Sequence, residues 1–223
     1  MIFLILFIVS LEAQQKGICG MTENDCNWEL INYNLHIKGN NKMNDFTITN
    51  QPGWGNYKNQ ISSITIEGIT HIGNYAFFNL TFVNEISISN SVKTIGDYSF
   101  YNSIKIKEIV LPNELISIGN GTFSSCTQLS SIIIPKTVET IGSSAFRSCK
   151  NLKTVELLSP IKILHSSLFS GCSSLKTINI PQTVEIIEDS VFLDCSSLEI
   201  ITIPESVEIL KGSVFRRCSS LKI

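Results

Sequence analysis

Cysteine is the residue whose spacing in this chain most invites chemistry. Cys126, Cys149, Cys172, Cys195 and Cys218 recur every 23 residues, and a row of thiolates could hold a soft metal or form cross-links. Tetrahedral zinc, however, needs ligands that converge on one point, usually through closely spaced cysteine pairs, and a linear column does not converge. If consecutive cysteines sat on adjacent strands, their Cα atoms would lie about 5 Å apart, inside the disulfide range. Five thiols cannot all pair, so a column of buried, mostly reduced cysteines is expected. Cys19 and Cys26 stand outside the column, seven residues apart, and a bridge between them is expected in an oxidising compartment.

The other reactive side chains show no working arrangement. His36, His71 and His165 fall at unrelated places, and the nucleophile-elbow, zinc-protease and phosphate-loop patterns are all missing. Glu139, Glu185 and Glu208 share one repeat position, which reads as a solvated row rather than an acid–base pair. No catalytic residue, metal ligand or cofactor site is assigned, and enzymatic activity is not expected. Two acceptor patterns, Asn79-Leu80-Thr81 and Asn120-Gly121-Thr122, make Asn79 and Asn120 candidate glycosylation sites if the chain is secreted.

What places these residues is an internal repeat. Phe77, Phe100, Phe123, Phe146, Phe169, Phe192 and Phe215 recur every 23 residues, and the cysteine column follows three positions later. The cleanest unit runs from Leu175 through Ile178, Ile180, Pro181, Val184 and Ile187 to Phe192 and Cys195. Alternation at Ile86/Ile88, Ile109/Leu111, Ile132/Ile134, Ile178/Ile180 and Ile201/Ile203 marks a short strand with one buried face in each coil. Pro112, Pro135, Pro181 and Pro204 follow at once and end it, because proline cannot donate to a ladder. One coil carries its proline late, at Pro160, a difference that loops should absorb. A single coil cannot bury its own apolar residues, so the fold must be a β-rich leucine-rich-repeat solenoid of parallel short strands in 23-residue coils.

Composition agrees with a packed, non-nucleic-acid-binding protein. Hydrophobic residues make up 43% and charged residues 16%, while 17 Lys and Arg against 19 Asp and Glu leave a net charge of -2 without charged runs. The apolar stretch Met1–Val9 is too short to cross a bilayer but fits the core of a secretory leader cleaved near Ala13. No other run is long enough to span a membrane. Residues 1–13 are therefore read as a signal peptide, 14–60 as an N-terminal β cap and 61–223 as seven repeats with an uncapped C-terminal end. In the cap, Trp28 to Ile37 reads as strand, turn and strand, ahead of Pro52-Gly53-Trp54.

The unit Ile134-Pro135-Lys136-Thr137-Val138-Glu139-Thr140-Ile141-Gly142-Ser143-Ser144-Ala145-Phe146-Arg147-Ser148-Cys149 resembles the BspA-like leucine-rich repeats over roughly residues 61–223. Cys19-Gly20 ahead of Trp28, then Leu35 to Gly39, is similar to the segment often found upstream of such repeats. The resemblance implies a secreted or cell-surface protein of bacteria or parasitic protists, used by some members for adhesion to host matrix or other cells. It fixes no functional residue. Gly73, Gly96, Gly119 and Gly142 keep the glycine of the pattern, whereas His165, Glu188 and Lys211 replace it later. A positive φ there would force the later coils to turn differently; otherwise the glycine is merely small.

The side chains flanking each buried pair should form an outward sheet face: Ser63/Thr65, Glu85/Ser87, Glu108/Val110, Ser131/Ile133, Thr154/Glu156, Thr177/Asn179 and Ile200/Thr202. The expected role is non-enzymatic binding of a protein or cell-surface glycoprotein through this face. Two alternatives remain open: a self-associating surface-coat component that stacks through its C-terminal edge, or an intracellular scaffold if the leader is misread.

Overall fold

The computed structural model describes residues 15–222, so the expected leader lies outside the described residues. The chain winds as a stack of coils bonded to one another along two interrupted strand ladders and one row of turns. Strands are numbered in chain order. The first ladder begins in an antiparallel meander of β1 (Gln15–Ile18), β2 (Asn27–Ile31) and β3 (Asn34–Lys38). It turns parallel where β3 meets β4 (Ser63–Glu67), with Asn34 opposite Ser63 and Lys38 opposite Glu67. Asn32 and Tyr33, both at positive φ, close the β2–β3 hairpin, as two-residue hairpin turns require.

The second ladder is built from strands two residues long: β5 (His71–Ile72), β7 (Thr94–Ile95), β8 (Ser117–Ile118) and β10 (Thr140–Ile141), then β12 (Ile163–Leu164), β14 (Ile186–Ile187) and β16 (Ile209–Leu210). The first ladder continues through β6 (Glu85–Ile88), β9 (Ser131–Ile134), β11 (Thr154–Leu157), β13 (Thr177–Asn179) and β15 (Ile200–Thr202). All of these pairings are parallel with matching repeat positions, such as Val155 opposite Ile132 and Ile201 opposite Ile178.

The turn row supplies the third set of bonds. The N–H groups of Phe77, Phe100, Phe123, Phe146, Phe169 and Phe192 donate forward to the next coil at 2.8–3.0 Å. On the second ladder, Gly96, Gly119 and Gly142 N–H instead donate back to Ile72, Ile95 and Ile118 carbonyls at 2.8 Å. Each coil is thus tied in both directions, which satisfies backbone groups that a buried turn would otherwise strand. The row bends because two residues per coil, two before and two after the phenylalanine, are left-handed: Tyr75 and Asn79, Tyr98 and Asn102, Ser144 and Ser148, Ser190 and Asp194.

Inside, the seven phenylalanines form one row. Successive rings from Phe77 to Phe215 stack with centroids 5.1–5.8 Å apart and planes within 21°. The N-terminal segment closes that row: Trp54 stacks on Phe77 at 5.7 Å and donates its indole N–H to Ala76 C=O at 2.9 Å. Trp28 packs edge-on against Trp54, and a disulfide joins Cys19 to Cys26.

One expectation about the coils is corrected, and one open alternative is decided. Ile109 and Leu111 keep their inward alternation and are buried, yet residues 108–111 form no strand. The first ladder is interrupted there between β6 and β9, and again between β11 and β13; alternation sets which side chains point inward, not whether N–H groups reach the neighbouring coil. The glycine column, for its part, does not serve positive φ. A Cβ on Gly96 or Gly119 would lie 2.6 Å from the backbone nitrogen of Asn74 or Asp97 in the preceding coil. Close approach of coils, not a left-handed turn, requires the missing side chain. Where the column ends at His165, the second ladder also breaks, between β10 and β12.

Candidate functional site

The first ladder's outer face is a grid with two positions per coil. One column runs Glu85, Glu108, Ser131, Thr154, Thr177, Ile200; the other runs Ser87, Val110, Ile133, Glu156, Asn179, Thr202. Ser63 and Thr65 in β4 are half-buried, and the Thr65 hydroxyl meets the Asn34 amide at 3.2 Å. The other twelve positions are half-buried or exposed, as side chains alternate across each strand.

One part of this grid differs from the rest. Val110 is 82% exposed and Ile133 53% exposed, and Leu158 joins them at 59%. Together with Glu108, Ser131 and Lys136 they line a groove of about 930 Å³. Its origin is local. The ladder is interrupted at 108–111, and the coil with the late proline places Leu158 where its neighbours have Pro135 and Pro181. Leu158 was not singled out from the sequence, although the displaced Pro160 was the available signal. An apolar concavity edged by a few polar groups is a common form of binding site.

The remaining reactive residues fall into structural roles. Each column thiol donates to a phenylalanine carbonyl 26 residues earlier: Cys126 to Phe100, Cys149 to Phe123, Cys172 to Phe146, Cys195 to Phe169 and Cys218 to Phe192, at 3.1–3.3 Å. Burial pushes the Cys126 and Cys195 thiols up to about 12 and raises the other three. Thiols so placed are poor nucleophiles and poor metal ligands. Among the described residues no group of three or more His, Cys, Asp or Glu could hold a metal ion.

The histidines are kept apart. A shallow trough of about 320 Å³ over the glycine column runs from His71 in the first coil to His165 in the fifth. His71 Nδ1 meets Thr94 Oγ1 at 2.6 Å, His165 Nδ1 meets Glu188 Oε2 at 3.3 Å, and His36 lies in β3 opposite Glu29 and Thr65. Of the carboxylate row, Glu185 pairs with Lys162 at 2.8 Å, while Glu139 and Glu208 are exposed.

Where glycine gives way, charge takes over. Glu188 accepts from Lys211 Nζ at 3.1 Å and from the Ser166 N–H at 3.0 Å. Burial opposes its ionisation, but the bonds from Lys211, Ser166 and His165 outweigh it and hold the carboxyl at about 2. Asn79 and Asn120 are both engaged: Asn79 Oδ1 accepts from Asn102 Nδ2 at 2.6 Å, and exposed Asn120 accepts the Ser143 N–H at 2.9 Å.

Among the described residues, no helix is long and apolar enough to cross a membrane. The sequence profile of the BspA type leucine rich repeat region matches in six copies, over residues 55–173 and 93–222. No curated protein matches the chain. Among solved structures, the chain is similar to a leucine-rich repeat protein from Bacteroides ovatus, with 28% identity and a TM-score of 0.74 over 92% of this chain and 55% of that one. It thus spans little more than half of that protein's length. A T. pallidum leucine rich repeat protein shares the fold at 22% identity and a TM-score of 0.60, over 94% of this chain and 88% of that one. With the coils stacked as described and the profile matched over most of its length, the chain belongs to the BspA-type leucine-rich-repeat family.

Proposed function

We propose that this protein is a non-catalytic binding protein, secreted or held at a cell surface, that engages a protein or glycoprotein partner through the outer face of its first ladder. The observation that carries this reading is the aliphatic groove on that face, where Val110, Ile133 and Leu158 stand exposed together. Clustered exposed aliphatic side chains are costly in water and mark interaction sites on folded proteins. The apolar Met1–Val9 segment and the family supply the surface address as an expectation.

The test is a binding screen of purified protein against extracellular-matrix proteins and intact cells, repeated with V110D/I133D and with E85K/E108K/E156K. A true partner should bind the first variant about tenfold or more weakly, as central apolar contacts dominate interface energies. Unchanged binding by both variants would remove the face from the function.

A further inference from the structure

The chemistry around the groove also restricts its occupant. Resting on the sheet-face reading, we propose that the groove receives an extended polypeptide segment. Its aliphatic side chain enters between Val110, Ile133 and Leu158, and a neighbouring lysine or arginine meets Glu108 and Glu156.

The placement of the carboxylates carries the argument. Glu156 lies opposite Ile133 in the parallel register of β11 and β9, so their backbones are one strand spacing apart, about 4.8 Å. Glu108 precedes Val110 by two positions, a step of about 7 Å along extended chain on the same face. The aliphatic pair is therefore bracketed by acids within reach of a cation next to, or two residues from, an inserted side chain. Glu108 and Glu156 take part in none of the ion pairs among the described residues, whereas nearby Glu114 is held by Lys93 at 3.0 Å. Lys136, beside Pro135, is the single cation lining the groove. It argues against a polycation and for one or two basic residues flanking an aliphatic one.

Other occupants fit less well. A phosphate-bearing lipid or nucleic acid would bring negative charge onto two unneutralised carboxylates. No aromatic ring lines the groove for a sugar to stack on.

Selection of random dodecapeptides on the intact protein tests the proposal, followed by affinity measurement of the selected peptides at low and high salt. The expected result is enrichment of an aliphatic residue within two positions of Lys or Arg. V110S/I133S should then weaken binding about tenfold. E108Q/E156Q should weaken it about threefold to tenfold at low salt and less at high salt, because screening removes the charge contribution. All four positions are exposed, and thermal melting verifies that the variants fold. Enrichment of acidic or uncharged sequences, no enrichment at all, or equal binding by E108Q/E156Q would overturn the proposal. Loss of matrix or cell binding by V110D/I133D without any such peptide would overturn this inference alone; insensitivity of both assays to these substitutions would overturn the sheet-face reading as well.

Discussion

Each column cysteine donates an S–H hydrogen bond to a phenylalanine carbonyl of the preceding coil, so the thiols act as internal hydrogen-bond donors. Sequence spacing was enough to place them in one buried row, but the acceptor could be seen only once coils were stacked. The native protein should leave all five free thiols unmodified by a chromogenic disulfide reagent, with all five reacting after denaturation. Rapid modification of the folded protein would contradict the described packing. Ionisation of Glu188 is coupled to folding. Its carboxyl is held at about 2 against an ordinary value of 4.5, so it contributes stability above pH 4.5 that is lost as pH falls toward 2. Its side chain is 22% exposed. After allowance for solvent screening, Glu188→Gln should therefore cost about 1–2 kcal/mol at pH 7 and progressively less below pH 4. Chemical denaturation of both proteins at pH 7 and pH 3 gives the comparison.

At the scale of elements, the two ladders are interrupted at different places: the first between β6 and β9 and between β11 and β13, the second between β10 and β12. On the first, residues 108–111 retain buried Ile109 and Leu111 without forming a strand. Alternation in the sequence could not reveal this, since it records facing and says nothing of ladder bonds. On the second, the break between β10 and β12 coincides with the change from Gly142 to His165. That substitution was visible in the sequence, but its meaning was not, because the atoms a Cβ would meet belong to another coil. Gly119→Ala should therefore destabilise by about 1–3 kcal/mol through overpacking against Asp97 and Gly96. His165→Ala, beyond the break, should cost less. Melting temperatures of the two variants test the difference, and a neutral Gly119→Ala would show that the coils can separate at that corner without penalty. The strands of two residues in the second ladder were also not read from the sequence, being too short to show alternation.

For the whole molecule, stability is shared between neighbours along a single axis, and the phenylalanine row is the axis. Phe146→Ala, in the middle of the stack, should cost about 3–5 kcal/mol, because a fully buried ring leaves a cavity between two others. It should also weaken coupling between the coils on either side, so that unfolding broadens or divides into two transitions. Phe215→Ala, where the ring is half-buried, should cost less and leave one transition. Hydrogen exchange along the chain distinguishes these outcomes; equal effects of the two variants would contradict nearest-neighbour stabilisation. The solenoid itself was legible in the sequence, because a 23-residue period in phenylalanine, cysteine, proline and paired aliphatic residues admits few folds. The groove was legible only in part: Val110 and Ile133 belong to the outward set that periodicity defines, but Leu158 does not. The sequence by itself determined the repeat, the inward and outward faces and the column of buried thiols, all of which follow from periodicity within one chain. Tertiary structure alone decided where the ladders break, why the glycines are needed and which outward residues share a groove, since each depends on atoms in adjacent coils coming together.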